Sequence, residues 1–133
     1  MDRAAYDQYL EAFNARDYEG VLGFYADDFE IVFLGHALRS RDEVRRFYGF
    51  LHAHLSERIR IERFISTGEM IAMEAVVRLE GIKAVSPEEQ AALGYAWIGV
   101  PPPGVVVEIP QFIHYHLKNG KITGAYCAMF EPA

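Results

Sequence analysis

The sequence predicts an α+β fold in which a curved antiparallel sheet wraps around helices from the N-terminal half. Three observations lead there. Up to about Leu55, apolar residues recur at helical spacing in three separate stretches. From Glu57 onward the spacing changes to two, the period of a strand with one covered face. Finally, Lys118-Asn119-Gly120 joins two long alternating runs, and Asn-Gly is among the strongest short hairpin signals.

The elements follow in order. Residues 2–15 place Tyr6, Tyr9, Leu10 and Phe13 on one helical stripe, with Asp2 as N-cap. The stretch from Asn14 to Asp17 breaks that pattern, and Asp17 caps a second predicted helix from Tyr18 to Ala26. Its apolar face holds Val21, Leu22, Phe24 and Tyr25, and Asp27-Asp28 is expected to end it. A short strand comes next, with Phe29, Ile31 and Phe33 on one face and Glu30, Val32 and Leu34 on the other. Gly35-His36 starts a loop. Ser40 and Glu43 have capping-box spacing and open a third helix running to about Leu55, whose stripe is Val44, Phe47, Tyr48 and Leu51. Arg41, Arg45 and Arg46 are expected on its solvated face.

In the sheet, Arg58, Arg60 and Glu62 alternate with Ile59 and Ile61. After a Thr67-Gly68 turn, Ile71, Met73, Ala75, Val77 and Leu79 alternate with Ala72, Glu74, Val76, Arg78 and Glu80. The last two strands are expected at Val105 to Leu117 and Lys121 to Phe130. Residues 82–104 between them read as an insertion in a single domain spanning 1–133. Ser86-Pro87-Glu88-Glu89 combines a cap, a proline at the first helical position and a capping-box glutamate, which predicts a short helix through Leu93. Loops this long in small domains are commonly functional, so a lid is expected, with a dimer-contacting or disordered loop as the alternative.

Composition narrows the functional classes. A chain of 133 residues, 51% hydrophobic and 14% aromatic, can fill a core and still line a cavity. The formal net charge of −6 argues against nucleic acid or an anionic membrane as partner. No apolar run approaches the ~20 residues of a membrane span, and the N-terminus lacks an apolar signal core. The lone cysteine, Cys127, rules out an internal disulfide and sits in an apolar run, where a free thiol behaves as a small buried hydrophobe. A cytoplasmic protein is expected.

Three segments carry a family resemblance: Tyr9-Leu10-Glu11-Ala12-Phe13-Asn14-Ala15-Arg16-Asp17, Phe24-Tyr25-Ala26-Asp27-Asp28-Phe29, and Arg39-Ser40-Arg41-Asp42-Glu43-Val44-Arg45-Arg46-Phe47-Tyr48. Together with Asn119-Gly120-Lys121-Ile122 they resemble the nuclear transport factor 2-like superfamily, particularly SnoaL-like polyketide cyclases and ketosteroid isomerases. The resemblance covers nearly the whole chain outside 82–104 and implies a cystatin-like α+β cone with a pocket between sheet and helices. It places Tyr9 at the oxyanion-hole tyrosine of a ketosteroid isomerase, with Tyr25 and Tyr48 as supporting tyrosines. The base position of that enzyme becomes Phe33 and its second oxyanion-hole acid becomes Ile113, so steroid isomerisation is excluded. No carboxylate is expected to face the cavity.

The candidate site therefore starts from three tyrosines, Tyr9, Tyr25 and Tyr48, one on each predicted helix, because buried phenols need hydrogen-bond partners and several converging would polarise one pocket. Tyr9 is the expected oxyanion donor and His36, just after the first strand, the expected proton-transfer group. Phe33, Trp97, Gln111, Ile113 and Tyr115 complete the expected substrate-binding set, Trp97 with Tyr95 closing the pocket from the insertion. His52 and His54 read as structural. His114 and His116 share a strand face that the resemblance turns outward, toward a surface commonly used for dimerisation, so neither metal nor cofactor is expected. Glu74 also alternates outward. Three functions compete: a cyclase, isomerase or dehydratase acting on a small apolar carbonyl compound; a non-catalytic binder of small hydrophobic ligands; and a dimeric assembly module.

Overall fold

The computed structural model describes residues Met1–Glu131. Four helices and six strands occur among the described residues. Helix α1 (Arg3–Asn14) is capped by the Asp2 carboxylate, which accepts from the Ala5 N–H at 2.9 Å. Arg16 follows in the left-handed region, at φ 60°, and turns the chain into α2 (Tyr18–Leu22), whose cap Asp17 accepts from Gly20 N–H. This helix is shorter than expected. Tyr25, Asp27 and Asp28 belong instead to strand β1 (Tyr25–Phe33), so Asp27-Asp28 is neither cap nor turn. The reason is the last strand, β6 (Lys121–Met129): its Ile122 N–H donates to the Phe24 carbonyl and Lys121 Nζ donates to the Gly23 carbonyl, ending α2 early.

The Gly35 loop is a tight reversal into a short strand β2 (His36–Leu38), which pairs with β1. Ser40 caps α3 (Arg41–His54) through Glu43 N–H, and Glu43 returns a bond to Arg39 N–H. Arg41 is not a solvated side chain. Its guanidinium donates to the Leu22 carbonyl at the end of α2 and to the Tyr25 and Ala26 carbonyls at the start of β1, tying the two together.

Strands β3 (Leu55–Ser66), β4 (Met70–Gly81), β5 (Val106–Lys118) and β6 (Lys121–Met129) form an antiparallel run. The full order is β2-β1-β6-β5-β4-β3. Strand β1 joins β6 in parallel, the one departure from the expected antiparallel sheet. Register shifts at Ile61/Arg63 and His116/Leu117 bend the long strands, and the curved sheet stays open at both edges.

The core lies between the concave face and helices α1 and α3. Tyr6, Phe47, Leu55, Ile71 and Ile122 have essentially no exposure. The insertion folds as anticipated at its start: Ser86 caps α4 (Pro87–Leu93), which ends at Gly94 with φ 80°. Its base is clamped to β4, because Gly81 lies so close to the carbonyls of Pro101 and Pro102 that any Cβ there would collide with them. Tyr95 stacks on Phe50 and Trp97 on Phe47, with interplanar angles of 9° and 10°. The insertion is therefore docked on α3.

Candidate functional site

Where the sheet curls away from the helices it leaves a cavity of about 330 Å³. That is near the lower end of the roughly 300–1,000 Å³ typical of small-molecule pockets. Its walls are mostly apolar: Phe13 and Leu51 from the helices, Phe33 from β1, Val77 and Leu79 from β4, Ile109 and Ile113 from β5. Ile98 and Gly99 of the insertion reach it as well. Six polar side chains interrupt this lining, namely Tyr9, Tyr25, Tyr48, Glu57, Gln111 and Tyr115, with Cys127 beside them.

The tyrosines form two hydrogen-bonded pairs. Tyr9 and Tyr25 hydroxyls lie 2.9 Å apart, and those of Tyr6 and Tyr115 2.7 Å apart. A pair of hydroxyls joined by one bond uses only one of its two hydrogens. The Tyr9–Tyr25 pair on the cavity wall thus has one hydrogen left over from its own bond, and the Tyr115 hydroxyl also acts on Tyr9. Tyr48 stands apart from this pair. Its hydroxyl bonds to no described residue and is not a sealed, unsatisfied atom, and Tyr48 lines the cavity. Burial pushes the Tyr9 phenol up to about 12, against the lowering effect of the Tyr25 hydroxyl. Burial likewise holds Tyr6, Tyr25, Tyr48 and Tyr115 well above the ordinary phenol value. All five are neutral donors throughout the physiological range.

The expected site residues divide cleanly. Tyr9, Tyr25, Phe33, Tyr48, Gln111, Ile113 and Tyr115 all line the cavity. His36 and Trp97 do not. Trp97 turns its ring onto Phe47 and stacks with His36 on its other side, centroids 4.1 Å apart, so His36 lies outside the cavity wall and cannot transfer a proton there. Tyr25 reaches the cavity from a strand, not from a helix. His114 and His116 are exposed on the outer face, and no group of three metal-ligating side chains occurs among the described residues.

One cavity residue was not anticipated. Glu57 lies on β3 with its side chain 12% exposed, against the expectation that no carboxylate faces inward. The alternation already placed it: Glu57 shares parity with Ile59 and Ile61, the covered side of the strand. Its Oε1 meets Nε2 of His52 at 2.8 Å, while Nδ1 of His52 meets the Tyr18 hydroxyl at 2.8 Å. A proton on Nε2 lets the ring donate to Glu57, while the Tyr18 hydroxyl, which also reaches the Tyr48 carbonyl at 3.1 Å, has one hydrogen to place between that carbonyl and Nδ1. Oε2 has no hydrogen-bond partner among the described residues and is not fully sealed, and Glu57 lines the cavity.

Similar architectures occur among solved structures. An NTF2-like protein of unknown function from Burkholderia pseudomallei K96243 superposes with TM-score 0.70 at 20% identity, covering 93% of this chain and 86% of that one. A candidate polyketide cyclase from Xanthomonas campestris pv. campestris gives TM-score 0.73 at 21% identity, with coverage of 91% and 84%. An LEH-like epoxide hydrolase from M. tuberculosis gives 0.68 at 15% identity, with coverage of 96% and 80%. Identities this low establish the fold alone. Among curated proteins, none is significantly similar in sequence. The family model for the SnoaL-like domain matches residues 6–125, most of the chain including the cavity-lining Tyr9, Tyr25, Tyr48, Glu57 and Tyr115, and the chain belongs to that family.

Proposed function

We propose that the protein binds a small, largely apolar molecule with a carbonyl or comparable oxygen, and acts on it as a cyclase, isomerase or dehydratase. The observation that carries this reading is the convergence of neutral phenol donors on one apolar cavity, with a spare O–H in the Tyr9–Tyr25 pair and a second on Tyr48. Donors held in a low-dielectric pocket stabilise charge that develops on oxygen, contributing about 2.7–4 kcal/mol in measured cases. Tyr9 is the assigned oxyanion donor; Tyr25 sets its orientation, and Phe33, Gln111, Ile113 and Tyr115 shape the bound molecule. The polyketide cyclase and epoxide hydrolase among the structural neighbours are consistent with such ligands.

Residues 82–104 serve as a lid, held shut by the stacking of Tyr95 and Trp97 on α3 and contributing Ile98 to the wall. The outer sheet face, where Phe112 and Ile65 are exposed, is assigned to homodimerisation, and the lone thiol suits a cytoplasmic setting. Among the described residues, no helix is long and apolar enough to cross a membrane.

The test is a panel of hydrophobic ketones, aldehydes and epoxides screened by thermal shift, then by mass spectrometry for conversion. Ligands should raise the melting temperature, and Tyr9→Phe should weaken binding about 2- to 10-fold, the loss of one hydrogen bond. Equal affinity in Tyr9→Phe would remove that residue from the site. Stabilisation without conversion by any compound would favour the second reading, a non-catalytic hydrophobic-ligand binder. That reading is supported by the placement of His36 outside the cavity.

A further inference from the structure

A carboxylate in an apolar cavity demands a reason. Glu57 is not a surface residue that drifts inward. The backbone on either side of it is tied down: Arg16 donates to the carbonyls of His52 and Leu55, and Asn14 pairs with both the N–H and the carbonyl of Ile59. Residues 55 and 59 are thereby fixed to the end of α1, and Glu57 sits midway between them. Its side chain is then fixed by His52, which is 5% exposed and is itself held by Tyr18. If the pair were only a buried structural bridge, both carboxylate oxygens would be satisfied inside the protein. Instead one oxygen is gripped and the other has no hydrogen-bond partner among the described residues, on a residue that lines the same cavity as Tyr48 and Tyr9. The charge of Glu57 is among the influences that hold the Tyr48 phenol in its neutral form, as expected if the two share the cavity.

We propose that Glu57 is the proton-transferring residue of the cavity, that its substrates are small apolar ketones with a hydrogen on the adjacent carbon, and that His52, steadied by Tyr18, is its positioning residue. This rests on the functional reading above and names its missing base. Oε2 takes the proton from the carbon next to the carbonyl. The C–H electron pair becomes the carbon–carbon π bond, and the carbonyl π pair moves to oxygen. The resulting enolate oxygen accepts hydrogen bonds from the Tyr48 hydroxyl and the spare O–H of the Tyr9–Tyr25 pair. Glu57, now a carboxylic acid, returns a proton to the same carbon or to a conjugated one, and no oxidant, metal or co-reactant is consumed. His52 keeps its Nε2–H on Oε1 throughout, so the carboxyl group cannot rotate its free oxygen away from the substrate. A general base held in this way contributes on the order of 10²- to 10⁴-fold to a proton transfer.

Hydrogen–deuterium exchange at carbon reads this step directly and requires no knowledge of the physiological product. The full-length protein is incubated in D₂O with 2-tetralone, a small apolar ketone. Binding is followed by the melting-temperature shift, and loss of the α-proton signal by ¹H NMR. Wild type should bind the ketone and exchange its α-hydrogens, and Glu57→Gln should bind equally while exchanging at least 100-fold more slowly. His52→Leu should slow exchange at unchanged affinity, His52→Gln should restore it to within tenfold of wild type, and Tyr18→Phe, a milder change farther from the cavity, should fall between. Equal exchange in wild type and Glu57→Gln would overturn the role of Glu57. Unchanged exchange in both His52→Leu and Tyr18→Phe would overturn the positioning role. Binding of 2-tetralone by wild type without exchange would sink the proton-transfer proposal and leave the pocket reading standing. Neither binding nor exchange would sink both.

Discussion

Raising the pH tests the tyrosine cluster by way of stability. A phenol whose pKa is higher in the folded state keeps its proton after the unfolded chain has lost it. Ionisation therefore favours unfolding: the stabilisation is complete below pH 10 and disappears as pH rises toward the folded value. For Tyr9, which moves from 10.0 to about 12, the loss at pH 11 is about 1.4 kcal/mol, since the unfolded phenol is then about nine-tenths ionised. Burial raises Tyr6, Tyr25, Tyr48 and Tyr115 well above the same reference, so each adds a loss of the same sign. All five groups act in the same direction against the ~5–15 kcal/mol that holds a domain folded. Urea midpoints measured from pH 9 to 11 should fall steeply above pH 10. Phenolate absorbance at 295 nm should show five of the eight tyrosines ionising only together with loss of far-UV circular dichroism. Ionisation of all eight near pH 10 with the helical signal intact would refute the sequestration of these hydroxyls.

Other consequences follow from single contacts. Burial raises the Cys127 thiol to about 12 from 9.0, so its thiolate fraction drops about a thousandfold while the rarer thiolate is more nucleophilic; Ellman's reagent at pH 8 should react about 50-fold more slowly with native than with unfolded protein. Gly81→Ala pushes a methyl into the carbonyls of Pro101 and Pro102 and should cost about 1–3 kcal/mol by urea denaturation. Ser40→Ala removes the cap of α3 and should cost about 1 kcal/mol in the same assay. Trp97→Ala strips the stacking partner from Phe47 and His36, and should speed ligand release in stopped-flow measurements more than it slows binding.

Local chemistry made much of this architecture legible. The caps Asp2, Asp17, Ser40 and Ser86 all act at the helix starts expected of them, because a side-chain acceptor three residues before a free N–H is a short-range signal. Period two puts Gln111, Ile113 and Tyr115 on one face, and the family resemblance turns that face inward, where all three line the cavity. What failed depended on distant partners. Tyr25 reads as helical until Ile122, nearly a hundred residues later, captures the Phe24 carbonyl. Arg41 looks solvated on a helical wheel, since the wheel cannot show the free carbonyls of a neighbouring helix end. His36 was placed by proximity along the chain, whereas ring stacking on Trp97 decides its position. Glu57 was missed for a different reason: its parity was plain, but a charged residue at the start of a strand is easily taken for solvent-facing.

The parallel seam between β1 and β6 also dictates the timetable of folding. Residues 25–33 emerge early, yet their sheet partner spans 121–129, so the β1–β2 hairpin must wait until nearly all the chain is available. Closing so long a loop is slow compared with forming the β3–β4 hairpin, whose strands are neighbours in sequence. A ribosome-bound chain halted before residue 121 would hold its helices and three long strands around a gap. Tyr25 and Phe33 would then face water across that gap, leaving an oily, protease-sensitive intermediate that only the last strand can seal.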